Sequence, residues 1–296
     1  MAQRKRCQYR TKINMKFSNY RICYNNDLFP IIYILNSSMS NPRFDNNCDI
    51  KEDFITTIKS PRLKYYDNLV LHIPHAGISG LDSTCWSHKL SLLNEVRRWT
   101  DWYTDVIFVP DDVASLKIHS IIATNSRFVL DMERLINDPL EKEVQGIIYT
   151  SFSGVHREVD VEEKKRLMIR YTAHQEELKS LLNEHSLLID CHSFPSELSD
   201  VDVCIGVNDD WSRPSDFVIG IVKEGFDRQG YKVRVNEPYS NSIAPVTNFI
   251  YSSLMIELNK RIYMNEDTLE ITSGAKLVRN VLRQIYGILI NHSELT

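Results

Sequence analysis

Ser186-Leu-Leu-Ile-Asp-Cys-His192 is the stretch on which the fold turns. It is short, apolar at its start, and reads as a buried strand. Side chains alternate along a strand, so Asp190 and His192 share one face and Cys191 takes the other. The 25 residues before it, 161 to 185, carry the clearest helical pattern in the chain. Leu167, Tyr171, Leu178 and Leu182 recur at helical spacing, and Glu and Lys fill the opposite side. A helix feeding a buried strand is the unit from which α/β sheets are built.

Working outward, the same alternation recurs. Asn68 to Pro74 reads as a buried strand that ends in the turn His75-Ala-Gly77. A helix is predicted over about 84 to 100, with Leu90, Leu93 and Val96 on one face. Gly146 to Thr150 is strand-like, as are Asp202 to Val207, Tyr231 to Val235 and Ser253 to Leu258. A helix starts near Pro214 and stops at Gly230. A last helix runs from Ser273 to about 291 with Leu277, Val281, Ile285 and Leu289 in its stripe. These elements predict one α/β domain over 67–296, with a mixed, mostly parallel sheet and helices on both faces. Ligands of such sheets gather at the carboxyl ends of the strands.

Composition narrows the function. Hydrophobic residues make up 43% and charged residues 25% of the 296, which excludes chain-wide disorder and collagen-like or low-complexity architecture. No apolar run approaches the roughly 20 residues of a membrane-spanning helix. The net charge of −4 argues against a nucleic-acid partner, because phosphate binding wants a basic surface. Residues 1 to 66 depart from this balance, with 12 Lys/Arg against 5 Asp/Glu, and eight asparagines fall in the first fifty positions. Residues 1 to 60 read as a basic, poorly packed extension or as sequence upstream of a true start near Met39; no motif supports a basic arm for a partner. The six cysteines form no C-x-x-C pair, which disfavours a thiolate zinc site. The first apolar run lies too late for an ordinary signal peptide, so the expected setting is cytoplasmic with reduced thiols.

Polar residues of unusual type sit at the strand ends: His72 and His75; Asp101 and Asp105; Arg127, Asp131, Glu133 and Arg134; Asp190 and His192; and Glu257 inside an apolar strand. Singly, each has a structural explanation. His72 reads as structural, Asp101 or Asp105 can cap local backbone, and Arg127 with Asp131 can form a buried ion pair. Cys191 points away from His192 and is a poor nucleophile candidate. Together they suggest more. Two histidines and a carboxylate are a frequent catalytic zinc set with one position left open. A further carboxylate can move the proton of water, and an arginine can grip a substrate carboxylate in two places. Asp190 is placed to orient His192.

Seven ordered segments then resemble the N-formylglutamate amidohydrolase family. They are LVLHIPHA (69–76), TDWYTDVIF (100–108), SRFVLDMER (126–134), GIIYT (146–150), DCHSFP (190–195), VNEPYS (235–240) and LMIELNKRIYM (254–264). The resemblance covers about 68 to 265 and the last helix. It implies a fold like that of zinc carboxypeptidases and aspartoacylases, and one Zn2+ per chain. It also implies hydrolysis of N-formyl-L-glutamate, a small acidic N-acyl amino acid, to formate and L-glutamate, a late step of histidine degradation. Carried over, His75 and His192 match metal-binding histidines and Glu257 the general acid/base. Arg127 and Arg134 match the substrate-anion arginines, with Arg127 also placed at the reacting centre. Asp101 is the chosen acidic ligand and Asp105 the second choice, because Ile78 stands where related zinc enzymes carry their carboxylate. Glu133 departs from an expected uncharged Asn. The alternatives are a zinc deacylase or peptidase of other acyl specificity, and a metal- or anion-binding relative without catalysis. Oligomeric state is not legible.

Overall fold

The computed structural model describes residues 66–81, 86–111, 117–136 and 138–290. The expectations for residues 1 to 60 lie outside them. In chain order the principal elements are β1 (Asn68–Ile73), α1 (Lys89–Trp99), α2 (Thr104–Ile107), β2 (Ile118–Ile122), β3 (Ser151–Phe152), β4 (Val155–His156) and α3 (Val161–Ser180). They continue with β5 (Ser186–Phe194), β6 (Val203–Val207), α4 (Asp216–Asp227), β7 (Val233–Val235), β8 (Ser252–Asn259), β9 (Met264–Asn265), β10 (Glu270–Ile271) and α5 (Gly274–Leu289).

Six strands form one sheet in the order β2-β1-β5-β8-β6-β7; β3 with β4 and β9 with β10 make small two-stranded pairs. β2, β1, β5 and β8 are mutually parallel neighbours, β6 runs antiparallel to β8, and β7 is parallel to β6. The expected mixed, mostly parallel sheet is therefore present. Every residue of β5 is buried, as a central strand with helices on both faces requires.

The two faces differ in a way that places the site. One face presents Leu69, Leu71, Leu187, Ile189, Cys191, Leu254 and Ile256, which pack with Val218 and Val222 of α4, Val278 and Ile285 of α5, and Ile107 of α2. The opposite face begins apolar, with Val70 and Leu188 packed under Leu178 and Leu182 of α3 and its continuation. Toward the carboxyl ends that face turns polar: His72 on β1, Asp190 and His192 on β5, Glu257 on β8. The register sets His72 beside Asp190 and His192 beside Glu257.

Three expectations need correction. Leu90 and Leu93 do not face the core; Leu90 is 80% exposed, and α1 buries Leu92 and Val96. That helix covers only a satellite cluster with Phe128, Tyr149 and Val155, so one residue per turn suffices. Leu277 is also exposed, because the α5 stripe centres on Val278, Leu282 and Ile285 and leaves residue 277 beyond its edge. Gly146–Thr150 forms no strand. Its backbone is used otherwise: the Ile147 carbonyl accepts from Asp131 N at 2.8 Å and the Thr150 carbonyl from Arg157 N at 2.9 Å.

Candidate active site

The polar ends of β5 and β8 face a cavity of about 370 Å³. Asp101, Arg127, Glu133, Arg134, His192 and Glu257 line it, with Tyr149, Trp99, Phe152 and Tyr239 in its walls. His75 lies two residues past β1. Its carbonyl accepts a hydrogen bond from Asp101 N at 3.0 Å, which ties the end of α1 to the end of β1. Gly77 lets that turn lie against the chain after β2; a Cβ there would come within 2.3 Å of the Thr124 carbonyl. This close approach explains the glycine in His75-Ala-Gly77.

The two imidazoles stand with ring centroids 5.0 Å apart and have opposed edges. Their Nδ1 atoms face Asp101: Oδ2 is 3.1 Å from His192 Nδ1 and 3.7 Å from His75 Nδ1. On the other edge, His75 Nε2 is 2.8 Å from Asp131 Oδ1. His192 Nε2 is 3.1 Å from Asp190 Oδ1, although the angle is poor for a hydrogen bond. Glu133 also approaches this edge, 3.6 Å from His75 Nε2 and 3.9 Å from His192 Nε2. His75 Nδ1, His192 Nε2 and Glu257 Oε2 are buried without a hydrogen-bond partner.

Asp131 is the hub on the side of the arginines. Its Oδ1 accepts from Glu133 N at 3.1 Å as well as meeting His75. Its Oδ2 accepts from Tyr149 Oη at 3.0 Å and meets Arg127 Nη2 at 3.4 Å and Arg134 Nε at 3.6 Å. α3 braces this segment from behind: Tyr171 Oη donates to the Arg134 carbonyl at 2.7 Å and Gln175 Nε2 to the Met132 carbonyl at 2.8 Å. The ion pair expected of Arg127 and Asp131 is present, but the second role of Asp131, holding His75, was not legible.

Charge states follow from these contacts. Burial works against ionisation of Asp101, yet the hydrogen bond with His192 and the nearby His75 outweigh it and hold the carboxyl far below the usual range. Asp131 is likewise held low, against burial, chiefly by His75 and Arg127. Burial opposes the charge of His192, but Asp190 and Glu133 raise its pKa well above the ordinary value. Glu257 goes the other way. Burial pushes it up to about 8; Asp101 and Glu133 add to this, and His192 and Arg127 oppose it. The same depth therefore holds carboxylates with strongly separated proton affinities, a common property of acid–base sites.

Sequence reasoning placed His75, His192, Asp101, Arg127, Arg134 and Glu257 in one site, and the structure brings all six together. Asp105 stands apart, exposed in the first turn of α2. Among the described residues, His75, Glu133 and His192 each offer one ligand atom within 4.8 Å of the others, so this trio is a geometric candidate for a metal ion. Asp101 is the second candidate carboxylate, on the opposite edges of the rings.

A buried histidine pair with carboxylates at the strand ends of an α/β sheet, a further acid of raised pKa and two arginines define a hydrolase-like site. The comparisons with known proteins give the family. The N-formylglutamate amidohydrolase family matches residues 67–264, and the chain belongs to it. The crystal structure of N-formylglutamate amidohydrolase from Ralstonia eutropha JMP134 is similar, with TM-score 0.62 and 19% identity over 76% of this chain and 93% of that one. A gene product of Agrobacterium tumefaciens matches with TM-score 0.50 and 14% identity over 77% and 93%. At such identities the likeness speaks for the fold. A search of curated proteins gives no match.

Proposed function

We propose that the chain is a zinc-dependent amidohydrolase that hydrolyses N-formyl-L-glutamate, or a closely similar N-acyl amino acid, to the free acid and amino acid. The observation that carries this reading is the convergence of His192, Asp101 and the unpartnered Glu257 on the cavity that also holds Arg127, with His75 beside Asp101.

The donor set fits zinc. Two ligands each about 2.1 Å from a tetrahedral zinc ion lie about 3.4 Å apart; Asp101 is 3.1 and 3.7 Å from the two Nδ1 atoms, while the trio whose ligand atoms all lie within 4.8 Å of one another is His75, Glu133 and His192. Two carboxylates compete for the third position. We favour Asp101, because ligation through Nδ1 leaves the 2.8 Å contact of His75 Nε2 with Asp131 in place, and ligating histidines commonly donate their other ring N–H to a carboxylate. Ligation with Glu133 through Nε2 would break that contact. When bound there, the ion would polarise the acyl carbonyl and make water a stronger acid.

The chain's own groups supply the rest. A guanidinium has five donors, and Arg127 commits one of them to Asp131, so its planar fork can take the substrate carboxylate. Arg134 extends this cationic wall. Glu257 accepts a proton from the attacking water and passes it to the amide nitrogen as the C–N bond breaks and the amine leaves. A nearby cation would lower the Glu257 pKa from its raised value toward the working range.

One observation favours a second reading of the substrate. Glu133 Oε2 lies 3.8 Å from Arg134 Nη1 and would compete with a ligand carboxylate there, which suits an acyl amino acid with a single carboxylate. Formate and acetate release from N-formyl-L-glutamate, N-formyl-L-leucine and N-acetyl-L-glutamate tests both readings. Metal-loaded protein should turn over a formyl substrate, and the panel ranks the side chains. No turnover of any of the three would refute the amidohydrolase reading.

A further inference from the structure

The proposed reaction leaves one part of the substrate without a partner. Arg127 takes the carboxylate and the histidine pair lies at the acyl end, so the side chain on the α-carbon remains. Three aromatic residues that line the cavity span the distance between those two ends. Trp99 closes α1 two residues before Asp101, which stands against both histidines. Tyr149 reaches the other end, where its Oη donates to Asp131 Oδ2 at 3.0 Å beside Arg127. Phe152, on β3, joins them: its ring centre is 6.0 Å from that of Tyr149 in a stacked arrangement and 6.3 Å from that of Trp99 in an edge-to-face one.

The polar tips of this wall are already engaged. Trp99 Nε1 donates to Glu95 Oε2 at 3.0 Å, Tyr149 Oη donates to Asp131, and Phe152 has no polar atom. What the wall offers a ligand is therefore ring carbon. Phe152 rests on Phe128 at 5.2 Å between ring centres and is only half-buried, so part of its ring stays accessible.

The charges point the same way. Arg127 and Arg134 are the guanidinium groups that line the cavity among the described residues. Arg134 already has three carboxylates around it: Asp131 at 3.6 Å, Glu133 at 3.8 Å and Asp138 at 3.9 Å. Arg98, with its guanidinium carbon 5.0 Å from the centre of the Trp99 ring, is paired with Glu197 at 2.8 Å. One substrate carboxylate can use the fork of Arg127. A second one, on the side chain, would meet Glu133 and ring carbon, and a carboxylate taken from water without a partner is costly.

We propose that Trp99, Tyr149 and Phe152 form the side-chain subsite, which selects N-acyl amino acids with an aromatic or large aliphatic side chain over N-formyl-L-glutamate. This rests on the reading of the site as an amidohydrolase with Arg127 on the substrate carboxylate. The rival is a wall that only closes the aromatic cluster around Phe128, and it predicts no dependence on the substrate side chain.

The test uses the full chain supplied with zinc and three probes: N-formylglycine, N-formyl-L-glutamate and N-formyl-L-phenylalanine. In wild type, kcat/KM for the phenylalanine compound should exceed that of the other two about tenfold or more, as burial of an apolar side chain allows. Phe152→Ala should lower the phenylalanine compound about tenfold and leave N-formylglycine within about threefold of wild type. Phe152→Leu keeps apolar surface and should lose less. Calorimetric titration of the same compounds into Glu257→Gln protein reads the subsite without turnover, and the phenylalanine compound should again bind tightest.

A wild-type preference for N-formyl-L-glutamate, or equal losses on the glycine and phenylalanine compounds in Phe152→Ala, would overturn the proposal. If Phe152→Ala does not yield folded protein, the wild-type ranking decides. If no compound is turned over, the amidohydrolase reading fails, and the titrations still decide the subsite: tightest binding of the phenylalanine compound would support it, and equal binding of all three would overturn it.

Discussion

Glu257→Gln separates a proton-carrying group from a structural one, because the two roles predict opposite changes. The side chain is buried, its Oε2 has no hydrogen-bond partner, and burial raises its pKa from 4.5 to about 8. In metal-free protein at pH 7 the folded chain therefore holds this proton while the unfolded chain has released it. A folded state that binds more protons loses stability as pH rises, here from about 4.5 to about 8. Between 4.5 and 7 the cost reaches about 3 kcal/mol, at about 1.4 kcal/mol for each pH unit. Gln has nearly the same shape and no such cost. Chelated Glu257→Gln should thus be more stable than chelated wild type at pH 7, and the gap should close near pH 4. Turnover should move the other way, with kcat down by about 10²–10⁴ and zinc content unchanged. Melting curves at pH 4 and 7, zinc analysis and formate release measure all three. Near-normal kcat together with lower stability would make Glu257 a structural carboxylate, and Glu133 would be the next acid to test.

Asp101→Asn should cost more zinc affinity than the about 10–100-fold typical of an outer partner, and Glu133→Gln should cost less; the reverse order in a chelator competition would move the third ligand to Glu133. Arg127→Lys keeps the charge but loses the fork, so KM should rise about tenfold or more while zinc content holds; equal loss of metal would show that Arg127 acts through Asp131 and His75. Deleting residues 1 to 60 should leave the cooperative melt and turnover nearly intact, and aggregation of the shortened chain would contradict the extension reading.

Much of the fold was readable because period and parity are local. Alternation in β5 placed Asp190 and His192 on one face and Cys191 in the core, as found. The errors arose where packing geometry, not pattern, decides. Leu277 has the right spacing but lies past the edge of its stripe, and Gly146–Thr150 has an apolar run but bends and gives its backbone to Asp131 and Arg157. At the site, residue types pointed to His75, His192 and Glu257. What escaped was partnership across distance. Asp131 looked like the partner of Arg127 four residues away, and only the fold brings it to His75, 56 positions earlier. His174 sits in an ordinary helical pattern, and its meeting with His72 depends on how α3 crosses the sheet. A polar residue in the buried phase of an otherwise apolar stripe was the available signal.

The central claim is that the histidine pair holds a metal ion on which amide hydrolysis depends. Zinc content and formate release, measured on one preparation of wild type and of the His75→Ala/His192→Ala variant, test it most directly. Wild type should hold about one zinc per chain, lose turnover on chelation and regain it on zinc addition, and the double variant should hold none and stay inactive. Full metal in the double variant, or undiminished turnover in chelated wild type, would contradict the account.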